Sequence, residues 1–246
     1  LIMKLLLLLL ALPMIGFGQN VNIPDANFKA CLVGNKDINR NGDKEIQLSE
    51  ASAFNGTIDC TDMNISDLTG IEAFTALTTL GCVLNKLTSF DVSKNTALYD
   101  LYCGDNKLTS LDVSKNTALS ILDCGDNQLT SLDVSKNTAL AYLGCSYNQL
   151  TSLDVSKNTA LTSLGCVLNK LTSLDVSKNT ALTVLDCGDN QLTSLDVSKN
   201  TALTYLNCSY NQLTSLDVSK NTALTVLDCD GNKFDCDALK SKYGLD

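Results

Sequence analysis

The sequence predicts a solenoid: a stack of short coils, each laying one strand into a parallel sheet over a shared core. Three observations predict it. The octapeptide DVSKNTAL recurs without a changed letter at 91–98, 112–119, 133–140, 154–161, 175–182, 196–203 and 217–224, an interval of 21 residues each time. Self-similarity at a fixed period of this size marks a repeat architecture. Leu, Cys, Asn and Val recur in phase with that period, and one such unit is too short to bury its own apolar side chains, so neighbours must stack.

Composition narrows the function. The chain has 246 residues, net charge −9, 11 Cys, no His and no Trp. Its acidic balance opposes nucleic-acid binding, which needs clustered Lys and Arg. Without His the commonest general base is missing. No catalytic constellation replaces it, so the expectation is that the chain is not an enzyme.

The elements follow in order. Residues 1–18 read as a signal peptide: Met3-Lys4 opens a short positive region, 5–15 is apolar, and Gly16-Phe17-Gly18 supplies small residues before Gln19. The apolar run is too short to cross a membrane. The expected location is therefore secreted or cell-surface.

Residues 19–57 depart from the repeat and read as a helix–loop–helix cap. PDANFKACLV and SEASAF supply the helices, the first started by Pro24 and Asp25. The loop 39–50 between them is similar to an EF-hand loop. That likeness implies Ca²⁺ held by Asn39, Asn41, Asp43 and Glu50 at positions one, three, five and twelve, with the carbonyl of Glu45. Asn39 stands where Asp is usual, and Lys44 stands where the loop needs Gly. A register starting at Asp37 recovers Gly42 but puts Lys44 on the apolar position and misplaces Glu50. The competing reading is a polar cap that only shields the first coil.

The array spans 58–233: a partial unit at 58–63, a 22-residue copy at 65–86, and seven 21-residue copies at 87–233. Each copy follows L-x-x-L-x-C-x-x-N-x-L-x-x-L-x-V, as in Leu119, Leu122, Cys124, Asn127, Leu129, Leu132 and Val134. This resembles the leucine-rich repeat with Cys at one Leu position, and the 65–86 copy resembles the repeats of internalin-type bacterial proteins. The resemblance implies a leucine-rich-repeat solenoid with parallel β-strands on its concave face. A unit of this length leaves little room for convex helix, so LDVS is expected to be extended or 3₁₀ and SKNT a turn. DALKSKYG, in the C-terminal cap 234–246, reads as a short closing helix.

Two ladders are expected inside. The Asn of each C-x-x-N step satisfies backbone groups of adjacent coils. Cys82, Cys103, Cys124, Cys145, Cys166, Cys187, Cys208 and Cys229 share one inward position and act as small buried hydrophobes. In-register neighbours at about 4.8 Å lie farther apart than the Cβ atoms of a disulfide, and a line of thiols does not surround a metal. Pairing at the two caps, Cys31–Cys60 and Cys229–Cys236, stays open.

Function is sought where the copies disagree. Five positions around the inward Leu and Cys vary, and strand alternation points their side chains outward. They hold Tyr99, Tyr102, Tyr142, Tyr147, Tyr205 and Tyr210, with Asp123, Asp126, Asp186 and Asp189 among several aspartates. These ten are the candidate ligand-binding residues of a concave, acidic, aromatic face. The expected function is an extracellular binding or adhesion-type module for a protein or glycan, monomeric and without a required cofactor. The alternative is a scaffold or spacer with no dedicated ligand. The Asp/Lys pattern of DVSKN reads as a solvated convex surface.

Overall fold

The computed structural model describes residues 18–245. The signal-peptide reading thus lies, apart from Gly18, outside the described residues. Two helices, α1 (Ala26–Gly34) and α2 (Leu48–Ala53), precede nine three-residue strands. These are β1 (Thr57–Asp59), β2 (Thr79–Gly81), β3 (Asp100–Tyr102), β4 (Ile121–Asp123), β5 (Tyr142–Gly144), β6 (Ser163–Gly165), β7 (Val184–Asp186), β8 (Tyr205–Asn207) and β9 (Val226–Asp228); α3 (Cys236–Tyr243) follows. The strands form one parallel sheet in sequence order. The central residue of each strand, Ile58 in β1 and Leu in the rest, faces its equivalent in the next, so each coil repeats the last: Leu101 pairs Leu122 and Leu122 pairs Leu143.

The return path of each 21-residue coil contains no helix. Two successive turns make it: Asn95 N–H donates to the Val92 carbonyl at 2.9 Å, and Leu98 N–H to the Asn95 carbonyl at 3.1 Å. The first turn opens at the Val of LDVS, and no 3₁₀ segment forms in that run. A 3₁₀ helix occurs instead at Ile71–Ala73, inside the longer 65–86 copy.

The expected Asn ladder is present, and a second one accompanies it. Asn127 donates to the carbonyls of Cys103, Cys124 and Gly125 at 3.0–3.1 Å and accepts from Leu108 N–H at 2.9 Å. The Asn of SKNT sits in its expected turn, but its side chain points into the core. Asn137 is fully buried and donates to the carbonyls of Val113 and Asn116, both at 2.9 Å. This amide is buried in all seven DVSKNTAL copies, which accounts for the Asn of SKNT recurring unchanged; the 65–86 copy fills the same place with buried Phe74.

Both caps are stapled. Asp25 caps α1 by accepting from Asn27 and Phe28 N–H, and its other oxygen accepts from Ser66 N–H and Oγ in the first full coil. Pro24 thus lies just outside the helix it was expected to open. Disulfides join Cys31 to Cys60 and Cys229 to Cys236. Because β1 pairs with β2 in register, Cys60 occupies the same inward position as Cys82. The two end rungs of the ladder are therefore the bridged ones, and the seven between them are free and buried.

On the convex side each DVS aspartate accepts from the serine N–H two residues on, as Asp133 does from Ser135 at 2.9 Å. These bonds, with the Ser hydroxyl next, hold the carboxylates of Asp133, Asp154 and Asp175 below their usual range. Among the described residues the ion pair is Lys29–Glu45, so the convex charges stand unpaired. A carboxylate lowered on folding stabilises the fold above pH 3.8, its unfolded value, and that stabilisation is lost as pH falls through the folded value. The melting temperature is expected to drop on acidification below about pH 3.8. Asn at 133, 154 and 175 keeps the accepting oxygen and should shrink that drop; an unchanged acid limb in the triple variant refutes the assignment.

Candidate functional site

Each coil presents three outward rows on its strand side. The first lies before the inward Leu, the second after it, and the third at the exit of the strand, immediately before the ladder Asn. The exit residue has a left-handed backbone in every repeat: φ is 57° at Leu84, 50° at Asp126, 56° at Tyr147, 53° at Leu168 and 50° at Tyr210. Such φ is uncommon for non-glycine residues. The conformation is imposed by the Asn ladder, and it turns the exit side chain outward whatever its identity.

The ten predicted residues divide among these rows. Tyr142 and Tyr205 belong to the first row, three strand steps apart through Ser163 and Val184. Tyr102, Asp123 and Asp186 belong to the second. Asp126, Tyr147, Asp189 and Tyr210 are exit residues, with Tyr147 52% and Tyr210 62% exposed. Tyr142 and Tyr147 therefore flank one strand on opposite sides. Tyr99 precedes β3 and stands apart from all three rows, 54% exposed.

Five of the ten come together. Asp123, Asp126, Tyr142, Tyr147 and Asp186 line a recess of about 350 Å³ in the middle of the sheet. The recess exists because the second row, Tyr102–Asp123–Gly144–Gly165–Asp186–Asn207–Asp228, carries two consecutive glycines. Tyr142 folds over the first: its Oη lies 3.0 Å from where a Gly144 Cβ would be, with an Asp123 oxygen at 3.1 Å. Over Gly165 the nearest atom is Ser146 Oγ at 3.5 Å, so this position stays open. The sequence reading missed the two glycines and Ser163. The signal was visible in the LGC step shared by coils 143–145 and 164–166.

The electrostatics of the recess are one-sided. Burial raises Asp186, and the charges of Asp228 and Asp189 add to this against hydrogen bonds from Asn207 and Gly188. Burial likewise raises Asp126, helped by Asp105 and Asp123. The Tyr142 phenol is pushed up by burial and then by Asp123. No Lys or Arg lines the recess.

The loop 39–50 gathers its candidates differently. Asn39 is buried, donates to the Val33 and Asp43 carbonyls and accepts from Gly42 N–H. Asp43 accepts from Glu45 N–H, Asn41 Nδ2 and Gln47 Nε2. Glu50 accepts from the N–H groups of Arg40, Asn41 and Gln47, which closes the capping box of α2. The Glu45 carboxylate is taken by Lys29. Among the described residues no three His, Cys, Asp or Glu side chains are grouped to hold a metal ion.

Stacked parallel strands, a phased Leu/Cys/Asn core and a varied strand face define a leucine-rich-repeat solenoid, a class that serves as a protein-interaction scaffold. The family model for two copies of leucine-rich repeats matches residues 180–221 and 201–241. The functional domain of InlJ from Listeria monocytogenes, which includes a cysteine ladder, matches with TM-score 0.70 and 38% identity over 91% of this chain and 55% of that one. Internalin J of Listeria monocytogenes serotype 4b (strain F2365) is 51% identical over 40 residues, 16% of this chain and 4% of that protein. Internalin C2 of strain 4b F2365 shares the fold at TM-score 0.75 and 17% identity, covering 86% of this chain and 97% of that one. The chain is a leucine-rich-repeat solenoid of 21-residue repeats, similar in fold and repeat to these internalins. It spans about half of the InlJ domain and a small part of Internalin J.

Proposed function

We propose that the chain is an exported, monomeric recognition module that binds a protein or glycan on its strand face. The observation that carries this reading is the mid-array recess, where departures from perfect repetition place two Tyr and three Asp around one opening. Tyr offers a large rigid contact face with a polar tip. Export is supported by the two cap disulfides, which persist in oxidising compartments. Among the described residues no helix is long and apolar enough to cross a membrane.

The test begins with a screen of the chain against protein and glycan arrays. Tyr142→Ala with Tyr205→Ala is expected to weaken a hit at least tenfold, whereas Lys136→Ala with Lys199→Ala on the convex face leaves it unchanged. Equal effects, or loss from the Lys pair alone, overturn the assignment. An empty screen favours the scaffold or spacer.

Ca²⁺ in the loop 39–50 is a separate proposal. It is supported by Asn39, Asn41 and Asp43 sharing the loop between two helices with Glu50 in the first turn of the second. Millimolar Ca²⁺, the weak end of extracellular sites, should raise the melting temperature. Glu50→Gln should abolish the rise while keeping the capping box, which accepts either residue. No shift with Ca²⁺ leaves the loop as a cap alone.

A further inference from the structure

We propose that the recess over Gly165 receives one cationic side chain, arginine or lysine, from a protein partner. This rests on the strand-face reading above and names the partner chemistry of its centre.

Two features point to a cation. The first is shape. Asp123 and Asp186 face each other along the second row with only Gly144 and Gly165 between them, a span of three strand steps or about 14 Å. Tyr142 fills the Gly144 side, so the opening narrows to a slot between the phenol and Asp186. The second is uncompensated charge. Three carboxylates line the recess with no Lys or Arg, and burial holds two of them above their ordinary range.

The arrangement selects against other occupants. A metal ion needs ligands converging on a point, and the described residues offer no such group here. Carboxylates distributed around the slot suit an elongated cation on an apolar stem. Tyr142 and Tyr147 line the recess and offer apolar ring surface to that stem. An anionic group meets only like charge.

The experiment compares two peptides, Gly-Ser-Gly-Arg-Gly-Ser-Gly and the same peptide with citrulline, by amide chemical-shift titration of the full chain. Citrulline keeps the shape and removes the charge. The arginine peptide is expected to move the Gly144, Ser163 and Gly165 amides and to bind at least tenfold tighter than the citrulline peptide. A lysine peptide should move the same amides. Gly165→Asn places in the slot the side chain that β8 already carries at the same register, Asn207, and an added Cβ there meets only an ordinary contact. It should abolish the shifts with the sheet intact. Asp186→Asn should weaken binding at least tenfold. Equal affinity for citrulline, shifts spread over the convex aspartates, or shifts that survive Gly165→Asn each overturn the proposal. If those occur while the Tyr142/Tyr205 pair still controls a partner, the slot fails and the strand-face reading stands. If the arginine peptide binds but the Tyr pair controls nothing, the reverse holds.

Discussion

Asn127→Ala should destabilise the protein by about 3–6 kcal/mol, because it strands several buried backbone groups at once, each at about 1–3 kcal/mol. The amide serves the carbonyls of Cys103, Cys124 and Gly125 and receives Leu108 N–H, so it stitches two coils together at a buried point. In a solenoid each coil contacts only its neighbours, so the loss falls on one interface. Urea unfolding should then show two transitions where the parent shows one. Gln128, next in sequence but exposed, is the control; its alanine variant should stay within about 0.5 kcal/mol of the parent. A loss under 1 kcal/mol at Asn127 removes the ladder from the account of stability.

Thiol titration should give close to zero reactive groups in the folded chain and seven after unfolding without reductant. The seven free cysteines are buried, and burial pushes Cys82, Cys166 and Cys208 up to about 12. At pH 8 the thiolate fraction there is about one in ten thousand, and only the thiolate attacks a disulfide reagent. The missing four are the two bridged pairs. Mass spectrometry of the unreduced chain should find those pairs alone. Five disulfides, or rapid reaction of the native chain, refutes the packed ladder.

Much of this was legible because repetition repeats the evidence. The inward Leu and Cys and the C-x-x-N amide followed from phase alone. The second amide, in SKNT, escaped because an Asn beside Lys and Thr reads as surface; only the packing of two turns shows that Asn137 faces inward. The left-handed exit was hidden for a related reason. Leu84, Tyr147 and Leu168 are residues that avoid positive φ, and no local preference announces it. Because of it Tyr142 and Tyr147 occupy separate rows, which their spacing in the sequence does not show. The recess depended on the absence of side chains at Gly144 and Gly165, and absences are harder to read in a string than residues.

The one-to-one register has a consequence at the level of inheritance. Each coil meets the next through the same eight letters on the return path, so removing or adding 21 residues in phase keeps the DVSKNTAL packing and the inward Leu and Cys register of every remaining junction. Near-identical tracts in tandem favour unequal exchange between copies of a gene. Coil number is therefore a variable that lineages can alter in single steps, while the bridged ends are held fixed. One deletion between β5 and β8 would bring Tyr142 and Tyr205 a strand closer, about 5 Å, and retune reach without a single substitution.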